Sequence, residues 1–210
     1  MDLFLPLLYT FPVIEINGSK RAGKDREMNY TIDIAGIKRD LKLFSVDDNL
    51  QIAAFIMFGD VEITRHAATG LLDKAPDFDL IFTSEAKSIP LAYEMARQAG
   101  QNDYIIARKG IKVYMDDIVQ ARVRSITTQN DQILYLGKAE ADRIRDKRIL
   151  VVDDVISTGA SLLAMEDLIE QAGGQIVGKM AVLAEGDAFD RDDITVLAKL
   201  PLFDGSGNTL

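Results

Sequence analysis

Residues 149–161 read Ile149-Leu150-Val151-Val152-Asp153-Asp154-Val155-Ile156-Ser157-Thr158-Gly159-Ala160-Ser161, and their order decides the fold. Four consecutive apolar residues suit a strand buried on both faces, the condition of a central strand in a parallel sheet. Asp153 and Asp154 follow at its carboxyl end, the edge at which open parallel sheets bind ligands. Residues 157–161 are short, hydroxyl-rich and lead straight into a helix predicted over 160–172, which stops at Gly173-Gly174. Backbone N–H groups at such a helix start, aided by the helix dipole, suit a phosphate. Gly159 lets the backbone approach closely, while Ser157, Thr158 and Ser161 add hydroxyl donors. Two carboxylates beside that cradle repel a second phosphate and suit hydroxyl groups, such as those of the ribose in a sugar phosphate. The loop is neither Gly-x-x-x-x-Gly-Lys nor Gly-x-Gly-x-x-Gly, which disfavours nucleoside triphosphates and dinucleotides.

On both sides of this segment helices and strands alternate. Asp60 is placed to cap a helix running to Leu72, and residues 79–83 form a short apolar strand. Ser88 and Pro90 start a second helix, with Leu91, Met95 and Ala99 on one face and Gly100 at its end. Strands are predicted over 104–107 and 176–184. This alternation implies an α/β chain, a mostly parallel sheet flanked by helices. Residues 1–58 read differently, as short β-like runs at 12–16, 30–34 and 51–58, with a turn at Asn17-Gly18. The stretch 19–27 offers Lys20, Arg21, Lys24 and Arg26, but Asp25 and Glu27 are interleaved, so it reads as a solvated connection. Residues 114–137 are polar and β-branched and suit a hairpin or a long mobile loop. The expected organisation is a β-rich N-terminal subdomain over 1–58 and a core over 59–210.

Composition narrows the function. The 210-residue chain carries 33 acidic and 24 basic side chains, a net charge of −9, so most of its surface repels nucleic acid and no nucleic-acid partner is expected. There is no cysteine, which excludes disulfides and thiolate metal sites and makes a cytoplasmic setting the expectation. The apolar run 3–14 is broken by Pro6 and Pro12, is too short to span a bilayer, and lacks the basic start of a secretory signal, so no membrane association is expected.

The 149–161 segment resembles the signature of the type I phosphoribosyltransferases: four apolar residues, two acids, two apolar residues, then a small, hydroxyl-rich loop. Ala160 stands where glycine is frequent in that family. Two further segments agree in order. Thr83-Ser84-Glu85-Ala86-Lys87-Ser88 follows a core strand and precedes a helix, like the family's pyrophosphate loop; with Ile89-Pro90-Leu91-Ala92 it is similar to adenine and xanthine phosphoribosyltransferases and to a related purine repressor. Family members often carry Arg-Gly or Lys-Gly where this chain has Lys87-Ser88. Arg108-Lys109-Gly110-Ile111-Lys112 matches the Arg-Lys-x-x-Lys pattern of adenine-type enzymes, and three cations leaving one strand end suit pyrophosphate.

The resemblance spans about 59–184 and implies a phosphoribosyltransferase core beneath a hood built largely from the N-terminal segment. It implies transfer of the phosphoribosyl group of phosphoribosyl pyrophosphate to a purine, adenine first and xanthine or hypoxanthine next, with Mg²⁺ carried on the substrate oxygens and no protein metal site. Asp153 and Asp154 are then the catalytic pair on the ribose hydroxyls and possible proton acceptors. Ser157, Thr158, Gly159, Ala160 and Ser161 hold the 5′-phosphate. Glu85, Ala86, Lys87, Ser88, Arg108, Lys109 and Lys112 form the pyrophosphate side, with one lysine available to a neighbouring subunit of a homodimer. The alternative from another class is a regulatory protein that senses phosphoribosyl pyrophosphate without chemistry; a uracil or orotate enzyme is a weaker one. Asp116, Asp117, Arg122 and Arg124 are candidates to reach the leaving group from 114–137, with a solvated hairpin as the alternative. Glu185 and Phe189 are candidates near the base, against ordinary solvation and packing. His66 reads as a surface residue, and Met57, Phe58, Met165 and Met180 read as core.

Overall fold

The computed structural model describes residues 28–123 and 132–210. In chain order the elements are β1 (Asn29–Ile34), β2 (Ile37–Ser45), β3 (Gln51–Ala53), α1 (Val61–Leu72), β4 (Leu80–Ser84), α2 (Ile89–Gln98), β5 (Ile105–Ala107), β6 (Val119–Val123), β7 (Gln132–Leu136), α3 (Lys138–Ile144), β8 (Arg148–Ile156), α4 (Ala160–Gln171), β9 (Gln175–Glu185), a 3-10 turn (Gly186–Asp190), β10 (Thr195–Leu200) and β11 (Leu202–Phe203). The strand expected at 12–16, the turn at Asn17-Gly18 and the connection at 19–27 lie outside the described residues, as does Arg124.

Five strands form a parallel sheet in the order β10-β9-β8-β4-β5. Its central strand β8 is buried on both faces, as its unbroken apolar run requires. Leu150 and Val152 join a core with Ile63, Ala67 and Leu71 of α1 and Leu91 and Met95 of α2. Ile149 and Val151 face the other way, into a core with Ile144 of α3 and Leu162, Met165 and Leu168 of α4. One strand thus serves two layers, and the expected sheet flanked by helices is present.

The order of the sheet fixes where a ligand can sit. The β4-α2-β5 unit winds toward one edge and the β8-α4-β9 unit toward the other, so the winding reverses between the neighbours β4 and β8. The two following loops diverge at that point and leave a crevice beyond the carboxyl ends of the strands. The antiparallel sheet β1-β2-β3-β11 packs its Ile32, Ile34, Leu41 and Phe203 onto the α1–α2 side, and a two-stranded hairpin, β6-β7, places Leu134 and Leu136 on the α4 side.

Several local expectations change. β8 continues through Asp153 and Val155 to Ile156, paired with β9 as far as Ile156 opposite Ala184, so the two acids lie within the strand rather than just beyond its carboxyl end. The run 51–58 is a strand only over Gln51–Ala53. Beyond it Phe55 and Met57 remain buried while Ile56 and Phe58 are exposed, an alternation that outlasts the strand pairing; Phe58 is therefore not a core residue. β2, α3, β10 and β11 were not expected. Asp60 caps α1 as anticipated, its carboxylate accepting from Ile63 N–H at 3.0 Å.

Candidate active site

The first wall of the crevice is the end of β8. Asp153 and Asp154, within the last residues of β8 before the loop, are both nearly inaccessible, 8% and 6% exposed. Asp153 accepts the Asp154 N–H at 2.9 Å and lines a small cavity of about 80 Å³ with residues 155–162. Burial, then the neighbouring Asp154 charge, pushes the Asp153 carboxyl well above the usual carboxylate range. Asp154 looks to the opposite wall: its Oδ2 lies 3.7 Å from Lys87 Nζ, too far for a hydrogen bond, and is buried with no hydrogen-bond partner among the described residues. A buried carboxylate oxygen in that condition is ready to accept from a ligand hydroxyl or to meet a cation.

After β8 the chain passes Ser157 and Thr158 and reaches Gly159, the N-cap of α4, at φ +78°. That left-handed conformation suits glycine. Thr158 Oγ1 accepts from Ala160 N–H at 3.4 Å, a long contact that leaves the turn open. Space decides Gly159 as well: a Cβ there would meet Arg191 Nη1 at 2.8 Å. Arg191 follows the 3-10 turn, and its Nε and Nη2 donate to Asp193 Oδ1 and Oδ2, each at 2.8 Å. Sequence reading passed over Arg191, because Asp190, Asp192 and Asp193 around it look like a solvated acidic turn.

The second wall is the loop after β4. The Thr83 hydroxyl donates to Val152 C=O at 2.7 Å across the β4–β8 seam, and Ser88 Oγ lies 2.9 Å from Thr83 Oγ1 and donates to Ser84 C=O at 3.3 Å. Ser88 is therefore buried and braces the loop from beneath, supplying no side-chain cap to α2. The Glu85-Ala86 peptide is cis. Glu85 accepts from Arg108 Nη1 and from Lys109 N–H, each at 2.9 Å. Burial pushes the Glu85 carboxyl up, but the Lys109 amide and the Arg108 guanidinium outweigh it and hold the group below its usual range. Of the three cations expected here, Arg108 is thus paired with Glu85, while the Lys109 and Lys112 side chains stand in solvent. Arg108 also exchanges two backbone hydrogen bonds with Tyr135 at 2.8 Å, tying β7 to the edge beyond β5.

The structure brings Asp153, Asp154, Lys87 and the 157–161 turn to the point where the sheet's winding reverses, with Glu85, Ala86 and Arg108 beside them. Glu185, at the end of β9, is half-buried; burial pushes its carboxyl up and the nearby Lys87 charge opposes that. Phe189 is 42% exposed, with Lys199 Nζ 5.7 Å from its ring centroid. Asp116, Asp117 and Arg122 are exposed, and His66 lies on the solvent side of α1.

A family model described as a phosphoribosyl transferase domain matches residues 61–199. This chain belongs to that family. Xanthine phosphoribosyltransferase 1 of Clostridium perfringens is 30% identical over 109 residues, covering 51% of this chain and 56% of its own length. A hypoxanthine/guanine phosphoribosyltransferase of Ferroglobus placidus is 31% identical over 133 residues, covering 63% of this chain and 67% of its own. This chain thus spans little more than half the length of the clostridial relative. Among solved structures, the adenine phosphoribosyltransferase of Thermoanaerobacter pseudethanolicus superposes with a TM-score of 0.57 at 19% identity, over 82% of this chain and 96% of that one, and so shares the fold. Residues 149–161, with the acids of β8 and the turn after them, lie inside the matched span.

Proposed function

We propose that this chain is a purine phosphoribosyltransferase acting on phosphoribosyl pyrophosphate. The observation that carries this is the approach of Lys87 to the buried, unpartnered Asp154 oxygen across the crevice, 3.7 Å, beside a phosphate-sized turn. Related proteins named for xanthine, hypoxanthine/guanine and adenine support the purine class, and the Arg108-Lys109-x-x-Lys112 pattern makes adenine the first base to try.

In the reaction a ring nitrogen of the base bonds to C1′, the C1′–O bond breaks, pyrophosphate leaves with the electron pair, and the base nitrogen gives up its proton. The transition state carries oxocarbenium-like positive charge on the sugar. The amides of 157–161 hold the 5′-phosphate. Asp153 and Asp154 accept from the ribose hydroxyls, and the high proton affinity of Asp153 favours it as the acceptor of the proton released. Lys87, Lys109 and Lys112 stabilise the charge of the departing pyrophosphate, each exposed charge contributing roughly 0.5–1 kcal/mol; Glu85 keeps Arg108 and the Lys109 amide in position.

Among the described residues no cluster of three or more His, Cys, Asp or Glu side chains could hold a metal ion. The donors at Asp153 and Asp154 are hard oxygens, one of them unpartnered, and fit Mg²⁺ shared with substrate oxygens and water. Bound there, the ion would neutralise charge on the leaving group. Exposed Ile111, Val113 and Tyr114 beside the two lysines support a homodimer joined near this wall. A cytoplasmic setting belongs to the same reading, since a substrate with several phosphate charges does not cross a bilayer; no described helix is long and apolar enough to span one.

Purified protein should release pyrophosphate when given phosphoribosyl pyrophosphate, Mg²⁺ and one of adenine, xanthine, hypoxanthine or guanine. Silence with all four overturns the enzymatic reading, and a sugar-phosphate-dependent gel shift on DNA would replace it with the regulatory one.

A further inference from the structure

We infer that Arg191 completes the phosphate turn, supplying through Nη1 the one fixed cation that contacts the 5′-phosphate; this rests on the function proposed above. The turn at 157–161 offers neutral donors, amides and hydroxyls, while its cavity is also lined by Asp153. A phosphate dianion entering it meets no cation in the cavity lining, so a neutral cradle leaves its charge unbalanced unless a cation stands just outside that lining. Arg191 is placed to correct this. Its Nη1 lies 2.8 Å from where a Gly159 side chain would begin, over the backbone of the turn.

The guanidinium is held in that pose by Asp193, which a lysine of β9 ties in turn to α4. Its other two nitrogens are occupied by Asp193 in a two-point pair, each bond 2.8 Å. Asp193 also pairs with Lys179 of β9, and Lys179 Nζ lies 3.2 Å from Glu166 Oε1 of α4. Arg191, then Lys179, hold the Asp193 carboxyl far below its usual range. The network alternates in sign, and Nη1 of Arg191 is the guanidinium nitrogen outside the Asp193 pair. Arg191 is about one-third exposed, so its charge is partly desolvated yet reachable. A brace for the loop would hydrogen-bond to a loop carbonyl or carboxylate; this guanidinium instead spends its paired edge on Asp193 and turns the other end to the turn's glycine.

The test measures binding of ribose 5-phosphate by titration calorimetry, alongside steady-state kinetics. Arg191→Gln should weaken ribose 5-phosphate about 10–100-fold, the loss of one charge-assisted hydrogen-bonding group. It should raise KM for phosphoribosyl pyrophosphate similarly and leave KM for the base unchanged. Arg191→Lys, which keeps charge but not the two-point hold, should fall between. Asp193→Asn, which frees the guanidinium, should weaken ribose 5-phosphate several-fold with Arg191 still present. If Arg191→Gln fails to fold, the Lys and Asn variants carry the comparison. Binding within twofold of wild type in the folded variants overturns the assignment and leaves Arg191 a brace, with the enzyme reading intact. A wild-type protein that neither binds ribose 5-phosphate nor turns over phosphoribosyl pyrophosphate fails the function itself.

Discussion

The two walls of the crevice are built on opposite principles. The β8–α4 wall is buried and finished: Asp153 and Asp154 are almost inaccessible, Gly159 is fixed at positive φ, and Arg191 is clamped by Asp193. The β4–α2 wall is braced below by Thr83 and Ser88 but presents Lys87, Lys109 and Lys112 on long side chains in solvent. A preformed wall lowers the ordering needed to hold the group that stays, the phosphoribosyl unit. A solvent-exposed cationic wall suits the group that must depart, since lysines stabilise pyrophosphate without holding it in one geometry.

If that contrast is right, damage should be greatest on the finished wall. Asp154→Asn should lower kcat/KM about 100–1,000-fold, measured by pyrophosphate release, with folding intact. Asp153→Asn should cost similar activity while raising the free energy of unfolding at neutral pH by about 1 kcal/mol, because it removes a buried charge. Loss of stability in Asp153→Asn would show that the pair is structural and break the comparison.

The asymmetry also governs what a sequence can show. The finished wall was legible because its constraints are local: a continuous apolar run, then acids, then a hydroxyl-rich turn with one glycine, all within 149–161. The reversal of winding that places Lys87 opposite Asp154 is a property of strand order, and no local pattern carries it. β2 escaped notice because Lys38, Asp40 and Lys42 occupy its exposed face and only Leu41 is fully buried, so it reads as solvated chain. α3 is seven residues long, with only Ala141 and Ile144 buried, too short for a helical period to register. Arg191 is hidden by its acidic neighbours; the signal is Gly159, whose lack of a side chain lets the backbone approach a phosphate closely and also makes room for a guanidinium.

Two glycines sharpen the contrast. Gly159→Ala forces a side chain into positive φ, about 1 kcal/mol, and displaces Arg191, so KM for phosphoribosyl pyrophosphate should rise about tenfold. Gly110, between the cations of the other wall, has open space around it, and Gly110→Ala should change stability by less than about 0.5 kcal/mol. Below these in size come Lys109→Ala and Lys112→Ala. As exposed charges they should raise KM a few-fold each, roughly 0.5–1 kcal/mol, and the effect should fade in 0.5 M salt as screening replaces them.

The smallest effects carry opposite signs on the two walls, which makes them the most discriminating. Asp153 has its carboxyl pushed up by burial. Below the ordinary aspartate range the folded and unfolded states are both protonated there. As pH rises the unfolded chain ionises first, so the stability contributed by the protonated group declines toward neutrality. Glu85 is held below its usual range with Lys109 and Arg108 as partners. Its contribution is complete above the ordinary glutamate range and is lost as pH falls through the folded value. Urea midpoints measured across pH 3–8 should therefore show Asp153→Asn flattening the neutral limb and Glu85→Gln flattening the acid limb, the latter by less because Glu85 is partly solvated. Both substitutions acting on the same limb would mean that the walls share one electrostatic environment, and the division between a finished wall and a solvent-exposed one would not stand.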